Sequence, residues 1–184
     1  MASILKVDTI QDQSGNNIIN ENADTITIGA SGDTITIPSG ATITNSGTAT
    51  GFGKVLQVVS VTNTTQQTTT SGTYVASTGL TASITPSSTS SKILISVMSN
   101  IRSSADAAYT LYRGATNLAG AGDFVQIYAG GADIRQLMTI NYLDSPSTTS
   151  STTYTLYFFA GAGTAYINQE GSKQGQIILM EIAG

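Results

Sequence analysis

From residue 54 to its end the chain is a succession of short apolar-rich runs with no helical period. They are KVLQVVSV (54–61), 80–85, KILISVMS (92–99), AAYTLYR (107–113), 124–128, QLMTINYL (136–143), TTYTLYFFA (152–160), 164–168 and GQIILMEI (175–182). Ser, Thr, Gly and Pro separate them. β-branched and aromatic residues suit a pleated, half-buried surface, and short strands at this density predict an all-β sandwich or jelly roll. YTLYR and MTINYL alternate, whereas IILMEI is continuously apolar. The Ser/Thr tracts at 62–73, 86–91 and 145–153 read as long turns or exposed loops.

The N-terminal part has another texture. Residues 24–37 read DTITIGASGDTITI, one five-letter word written twice, and ATITN follows at 41–45. Within each word Ile alternates with Thr, the period of a strand with one buried face. Gly29–Gly32, Pro38-Ser39-Gly40 and Ser46-Gly47 supply the turns. Each word presents two isoleucines at most, so one chain builds no core here. Stacked rungs or several chains wrapped together would, and three rungs without caps favour association between chains. Ahead of the words stands a leader, ILKVDTIQDQSGNNIINE, with a turn signal at Ser14-Gly15-Asn16-Asn17. A hairpin and a loosely extended arm both fit it.

Composition narrows the chemistry. Only 10% of the 184 residues are charged while 40% are hydrophobic, against roughly 25% charged in ordinary soluble proteins, which argues against general disorder. Residues 1–53 hold one base, Lys6, and five acids, Asp8, Asp12, Glu21, Asp24 and Asp33, so the formal charge of −4 resides there. No basic stripe suits phosphates, and nucleic acid is not an expected partner. Cysteine and histidine are absent, which removes disulfides, thiolate metal sites, Cys nucleophiles and imidazole acid–base chemistry. Lys54, Lys92 and Lys173 stand in no S-x-x-K pair. Asp106, Asp123, Asp133, Asp144, Glu170 and Glu181 are scattered and read as solvated turn residues rather than a glycosidase pair or a calcium loop. An axial Asp24 or Asp33 ring holding a cation ranks below simple turn formation. No catalytic, cofactor or metal residue is assigned, and the chain is expected not to be an enzyme. Neither a signal peptide nor an apolar run of the ~20 residues needed to span a bilayer is present.

The T-x-T words resemble ice-binding arrays only faintly, since those need many rungs in register; threonine as an uncharged strand former suffices. Gly120–Gly122 and Gly161–Gly163 precede no helix and read as turns. Tyr109, Tyr112, Tyr128, Tyr142, Tyr154, Tyr157 and Tyr166 stand out among the large polar-tipped side chains of the C-terminal region. Core or interface packing is their default, with sugar stacking or partner anchoring open to any that are exposed.

The leader together with DTITIGASGDTITIPSGATITNSGTATGF resembles the N-terminal region of virion structural proteins, described as tail-fibre-like, in tailed phages of marine bacteria and cyanophages especially. The resemblance covers residues 3–53. The C-terminal region is similar in style to their receptor-facing heads, which resemble trimeric jelly rolls of the tumour-necrosis-factor type. This implies a short homotrimeric fibre in three parts. Residues 1–23 would dock on the particle through Ile4, Leu5, Val7, Ile10, Ile18 and Ile19. Residues 24–53 would form an intertwined trimeric β shaft with Ile26, Ile28, Ile35, Ile37 and Ile43 meeting across chains. Residues 54–184 would form a β-sandwich or jelly-roll head. The implied partners are sister chains, other phage structural proteins of tail or capsid, and a host surface glycan or outer-membrane protein; the implied location is the virion. A capsid decoration or head-fibre protein is the alternative, and a glycan depolymerase with sites between subunits is a third reading.

Overall fold

A computed structural model of the chain describes residues 9–11, 17–22, 25–29, 31–42, 55–168 and 174–184. The chain divides into two compact units, Met1–Thr50 and Gly51–Gly184.

In the first unit β1 (Thr9–Gln11), β2 (Asn17–Asn22) and β3 (Thr25–Ile28) form a three-stranded antiparallel sheet in that order. Of the two forms open to the leader, the hairpin is therefore the one observed, and it shares a sheet with the first DTITI word. The second word, residues 33–37, joins no ladder within the chain and is exposed. Two isoleucines offer too little burial to fix five residues, each of which costs ~1–2 kcal/mol of backbone entropy to order.

The second unit is all-β and antiparallel. Its strands are β4 (Val55–Asn63), β5 (Gln67–Thr69), β6 (Val75–Ile84), β7 (Lys92–Ser103), β8 (Ala107–Arg113), β9 (Thr116–Asn117), β10 (Val125–Ile127), β11 (Ile134–Asp144), β12 (Thr152–Ala160), β13 (Ala165–Ile167) and β14 (Gly175–Ile182). One sheet runs β4-β14-β7, with β11 along the opposite edge of β7 and β13-β5 continuing beyond β14. The other runs β10-β8-β12-β6, with β9 on β8. The tract at 62–73, expected as a loop, contributes the end of β4 and the whole of β5. There Thr, Asn and Gln fill the ladder positions.

The two sheets meet in one buried cluster. β7 and β14 supply Ile93, Ile95, Val97, Ile101, Ile177 and Leu179; β6, β8 and β12 answer with Leu80, Ile84, Tyr109, Leu111, Tyr154, Leu156 and Phe158. This is a sandwich-like packing of two layers. Tyr109 crosses it, its hydroxyl donating to the carbonyls of Tyr166 (3.1 Å) and Arg102 (3.3 Å). The left-handed residue Asn168 (φ 52°) is buried after β13, accepting from Ser99 Oγ at 2.9 Å and donating to the Thr65 carbonyl at 3.3 Å. A Cβ on Gly175 would collide with its amide, which fixes glycine at the start of β14.

Two acids depart from the expectation of solvated turns. Glu181 and Asp144 are both buried, and register places them in one row of the first sheet, Gln57–Glu181–Ile93–Asp144. Burial of a carboxylate requires donors, and both acids have them. Ser87 donates to Glu181 Oε1 through its backbone N–H (2.7 Å) and hydroxyl (2.6 Å), and Gln57 Nε2 donates to Oε2 (2.6 Å). Asp144 accepts from Arg113 Nη1 at 2.9 and 2.8 Å and from the Tyr154 hydroxyl at 2.7 Å. Arg113 and Tyr154 belong to the second sheet, so this contact ties the layers together.

Burial alone pushes the Glu181 carboxyl up. Its bonds from Ser87 and Gln57 outweigh that and hold it at about 2, against an ordinary 4.5; the Ser91 hydroxyl, buried without a bond of full hydrogen-bond geometry, adds to the effect. A depressed carboxylate stabilises the fold above the unfolded-state value and loses that contribution as pH falls through the folded one. Stability should therefore decline between pH 4.5 and about 2. In urea melts across that window the Glu181→Gln variant should show a shallower decline than the wild type. An equal slope in both proteins would mean other carboxylates govern acid unfolding.

Candidate interaction surface

In the first sheet the inward phase forms the core, and the outward phase is apolar toward the end that holds Val55 and Leu143 and mainly polar beyond it. Register aligns the row Val58–Met180–Leu94–Leu143 across β4, β14, β7 and β11. The next row is Ser60–Ile178–Ser96–Asn141, and the one after it is Thr62–Gln176–Met98–Thr139. At one end Ile182 pairs with Val55 across a bulge next to Leu56, and at the other Leu137 stands opposite Asn100. Val58 is 55% exposed, Leu143 50% and Leu137 59%, while Leu94, Ile178, Met180 and Ile182 are half-buried. The polar positions between them carry hydroxyls and amides. Charge is confined to the ends, with Lys92 opposite Ile182 and Arg102 opposite Arg135. Arg102 lies over the Tyr166 ring at 4.7 Å and pairs with Asp133 at 2.7 Å; that bond first, and then the nearby guanidinium charges, hold the exposed Asp133 carboxyl below its usual range.

Three strand spacings by about eight residues give this face a plane of roughly 15 × 25 Å. The whole plane is about half the ~800 Å² each partner contributes to a standard interface, and its apolar end lies within the few hundred Å² of contiguous apolar surface a monomer exposes. Its lack of internal charge means that two copies would meet without like-charge repulsion.

The first unit repeats the theme. Ile26 is 68% exposed, and Ile28, Ile35 and Ile37 are similarly open. Ile10 is exposed on β1, and register sets Ile10, Ile19 and Ile28 in one row across the three strands, so Ile19 is flanked by one residue expected to dock and one expected in the shaft. Ile18 lies on β2 beside Ile19. Ile4, Leu5, Val7 and Ile43 lie outside the described residues. Apart from the half-buried Gly29, every residue of this unit whose exposure is described is exposed.

The tyrosines sort cleanly. Tyr109 and Tyr154 are core; Tyr112, Tyr142, Tyr157 and Tyr166 are half-buried; Tyr128 is 80% exposed. Lys92 is exposed at the start of β7. Among the described residues no group of three or more Asp or Glu side chains comes together as a metal site would require. The two buried carboxylates, Glu181 and Asp144, stand two strands apart, or about 10 Å. Their oxygens are taken up by the protein's own donors, and a carboxyl held at about 2 gives no general acid at neutral pH.

No protein-family model and no curated protein matches the sequence.

Proposed function

We propose that the chain is a non-catalytic structural subunit of a phage virion, a short homotrimeric tail fibre or appendage. Its N-terminal leader docks on the particle, and residues 54–184 face the host as a jelly-roll-like head. The observation that carries this reading is the doubled apolar exposure. One chain leaves uncovered both the isoleucines of the repeat and the outer face of a sandwich sheet, and sister chains are the partner that covers both at once. Homo-oligomers of closed symmetry are the commonest such assemblies. The leader's resemblance to virion proteins points to the particle as their setting. Among the described residues no helix is long and apolar enough to cross a membrane.

Sedimentation of the full chain tests this directly: a trimer is expected, and a stable monomer overturns the reading. Replacing Ile26, Ile28, Ile35 and Ile37 by Ser should weaken the trimer sharply, because each buried Ile contributes on the order of 1.5–3 kcal/mol and every change counts in three chains. An unchanged oligomer would place those isoleucines elsewhere. Removing residues 1–23 should abolish incorporation into virions. The same leader suits a capsid shell, the setting of a decoration protein, and antibody labelling of intact particles distinguishes capsid from tail.

A further inference from the structure

The outer surface of the second sheet has a chemistry unlike that of the first. Thr153, Thr155, Tyr157 and Phe159 of β12 point away from the core, in the phase opposite to its buried residues. Tyr112 stacks on Tyr157 with ring centroids 3.9 Å apart; Tyr74 meets Phe159 edge-on at 4.9 Å and lies 6.2 Å from Tyr112. All four rings keep part of their surface open. Their polar neighbours are hydroxyls in pairs, Thr81 with Thr155 and Ser83 with Thr153, each at 2.7 Å. One carboxylate, Asp123, stands beside Tyr74; burial first, and then the Asp123 charge, push that phenol up to about 12. Arg113 follows Tyr112 in sequence but is turned onto Asp144, so it brings no free cation to this surface. The exposed Tyr128 lies just past β10, beyond Gln126. Register sets Gln126 two strands, or about 10 Å, from Phe159 with the buried Ala108 between them, so Tyr128 is a second stacking position apart from the four-ring cluster.

Aromatic faces and hydroxyl-binding groups together are what a pyranose requires. Its C–H face is weakly positive and stacks on the negative face of a ring. Its hydroxyls bind to carboxylates and side-chain hydroxyls, and a carboxylate acceptor makes the stronger bond. A protein partner would be better served by the aliphatic face on the other sheet. An anionic sugar would meet Asp123. We infer that this surface is a saccharide-binding platform for a neutral oligosaccharide, with Tyr128 and the Tyr74–Tyr112–Tyr157–Phe159 cluster as the stacking surface and Asp123 as the hydroxyl acceptor. It deepens the proposed function and rests on the head being the host-facing part.

The test uses the full chain on immobilised neutral hexose and N-acetylhexosamine oligosaccharides, with sulfated and uronate oligosaccharides alongside. At least one neutral class should bind. Tyr128→Ala and Asp123→Asn should each weaken binding about tenfold or more while melting temperatures stay unchanged, because Tyr128 is solvent-exposed and Asp123 keeps its shape as Asn. Binding confined to the anionic probes, no binding at all, or wild-type affinity in either variant overturns the inference. Sedimentation of the same samples separates the two ideas. A trimer that ignores neutral sugars sinks the platform alone, and a monomer that binds them sinks the fibre alone.

Discussion

Changing Val58 and Leu143 together to glutamate should convert the proposed trimer into folded monomers. Both stand at the outer ends of one row, about half exposed in the single chain. As a monomer the variant therefore loses little, since exposed substitutions away from special features stay within ~0.5 kcal/mol. In the assembly each glutamate would be driven into an apolar contact with no cation across from it, because Lys92, Arg102 and Arg135 sit only at the ends of the face. An uncompensated buried charge costs several kcal/mol, and a trimer would carry six of them. Sedimentation velocity should show one slow species, with the far-UV spectrum and melting temperature of a folded sandwich. Thr153→Glu, on the outer side of the other sheet, is the control and should leave the oligomer intact. If the double variant still assembles, the apolar face is not the contact and the repeat alone holds the chains.

The strand pattern was legible because alternation is a local signal. In KILISVMS, Ile93, Ile95 and Val97 fall in the buried phase, and in TTYTLYFFA so do Tyr154, Leu156 and Phe158. Glu181 was also written in the buried phase of GQIILMEI, after Ile177 and Leu179. What the sequence lacked was any sign of its donors, since Ser87 and Gln57 lie far away along the chain. The same holds for Asp144, whose Arg113 and Tyr154 partners meet it only once two sheets are stacked. The outer apolar face had a local trace: KVLQVVSV, KILISVMS and IILMEI place apolar residues in both phases. Runs apolar on both faces mark strands covered on both sides, but only pairing registers show that Val58, Met180, Leu94 and Leu143 form one row. The second copy of the DTITI word pairs with no strand of its own chain, which no pattern within five residues reveals.

The contact that ties the two layers should be the single most sensitive polar site of the head. Asp144 is buried, and its carboxylate is neutralised by Arg113 and capped by Tyr154. Arg113→Ala removes the positive partner and leaves the negative charge in place, a loss of about 3–5 kcal/mol for a buried pair. Tyr154→Phe removes one donor and should cost about 1–3 kcal/mol. Replacing the pair together, Arg113→Met with Asp144→Leu, should recover most of the Arg113→Ala loss, because no charge is then stranded. Urea melts give all three values. If Arg113→Ala costs under ~1 kcal/mol, then Arg113, which keeps partial solvent access, behaves as a surface pair instead. Alkali offers an independent check on the same residue. Burial first, and then the bond to Asp144, raise the Tyr154 phenol far above its ordinary 10.0, and burial does the same for Tyr109. A raised phenol stabilises the fold below its unfolded-state value and loses that contribution as pH climbs above it. The head should thus weaken steadily above pH 10.0, and Tyr154→Phe should lessen that decline. A variant that tracks the wild type in alkali would show that Tyr154 ionises as freely in the folded head as in the unfolded chain.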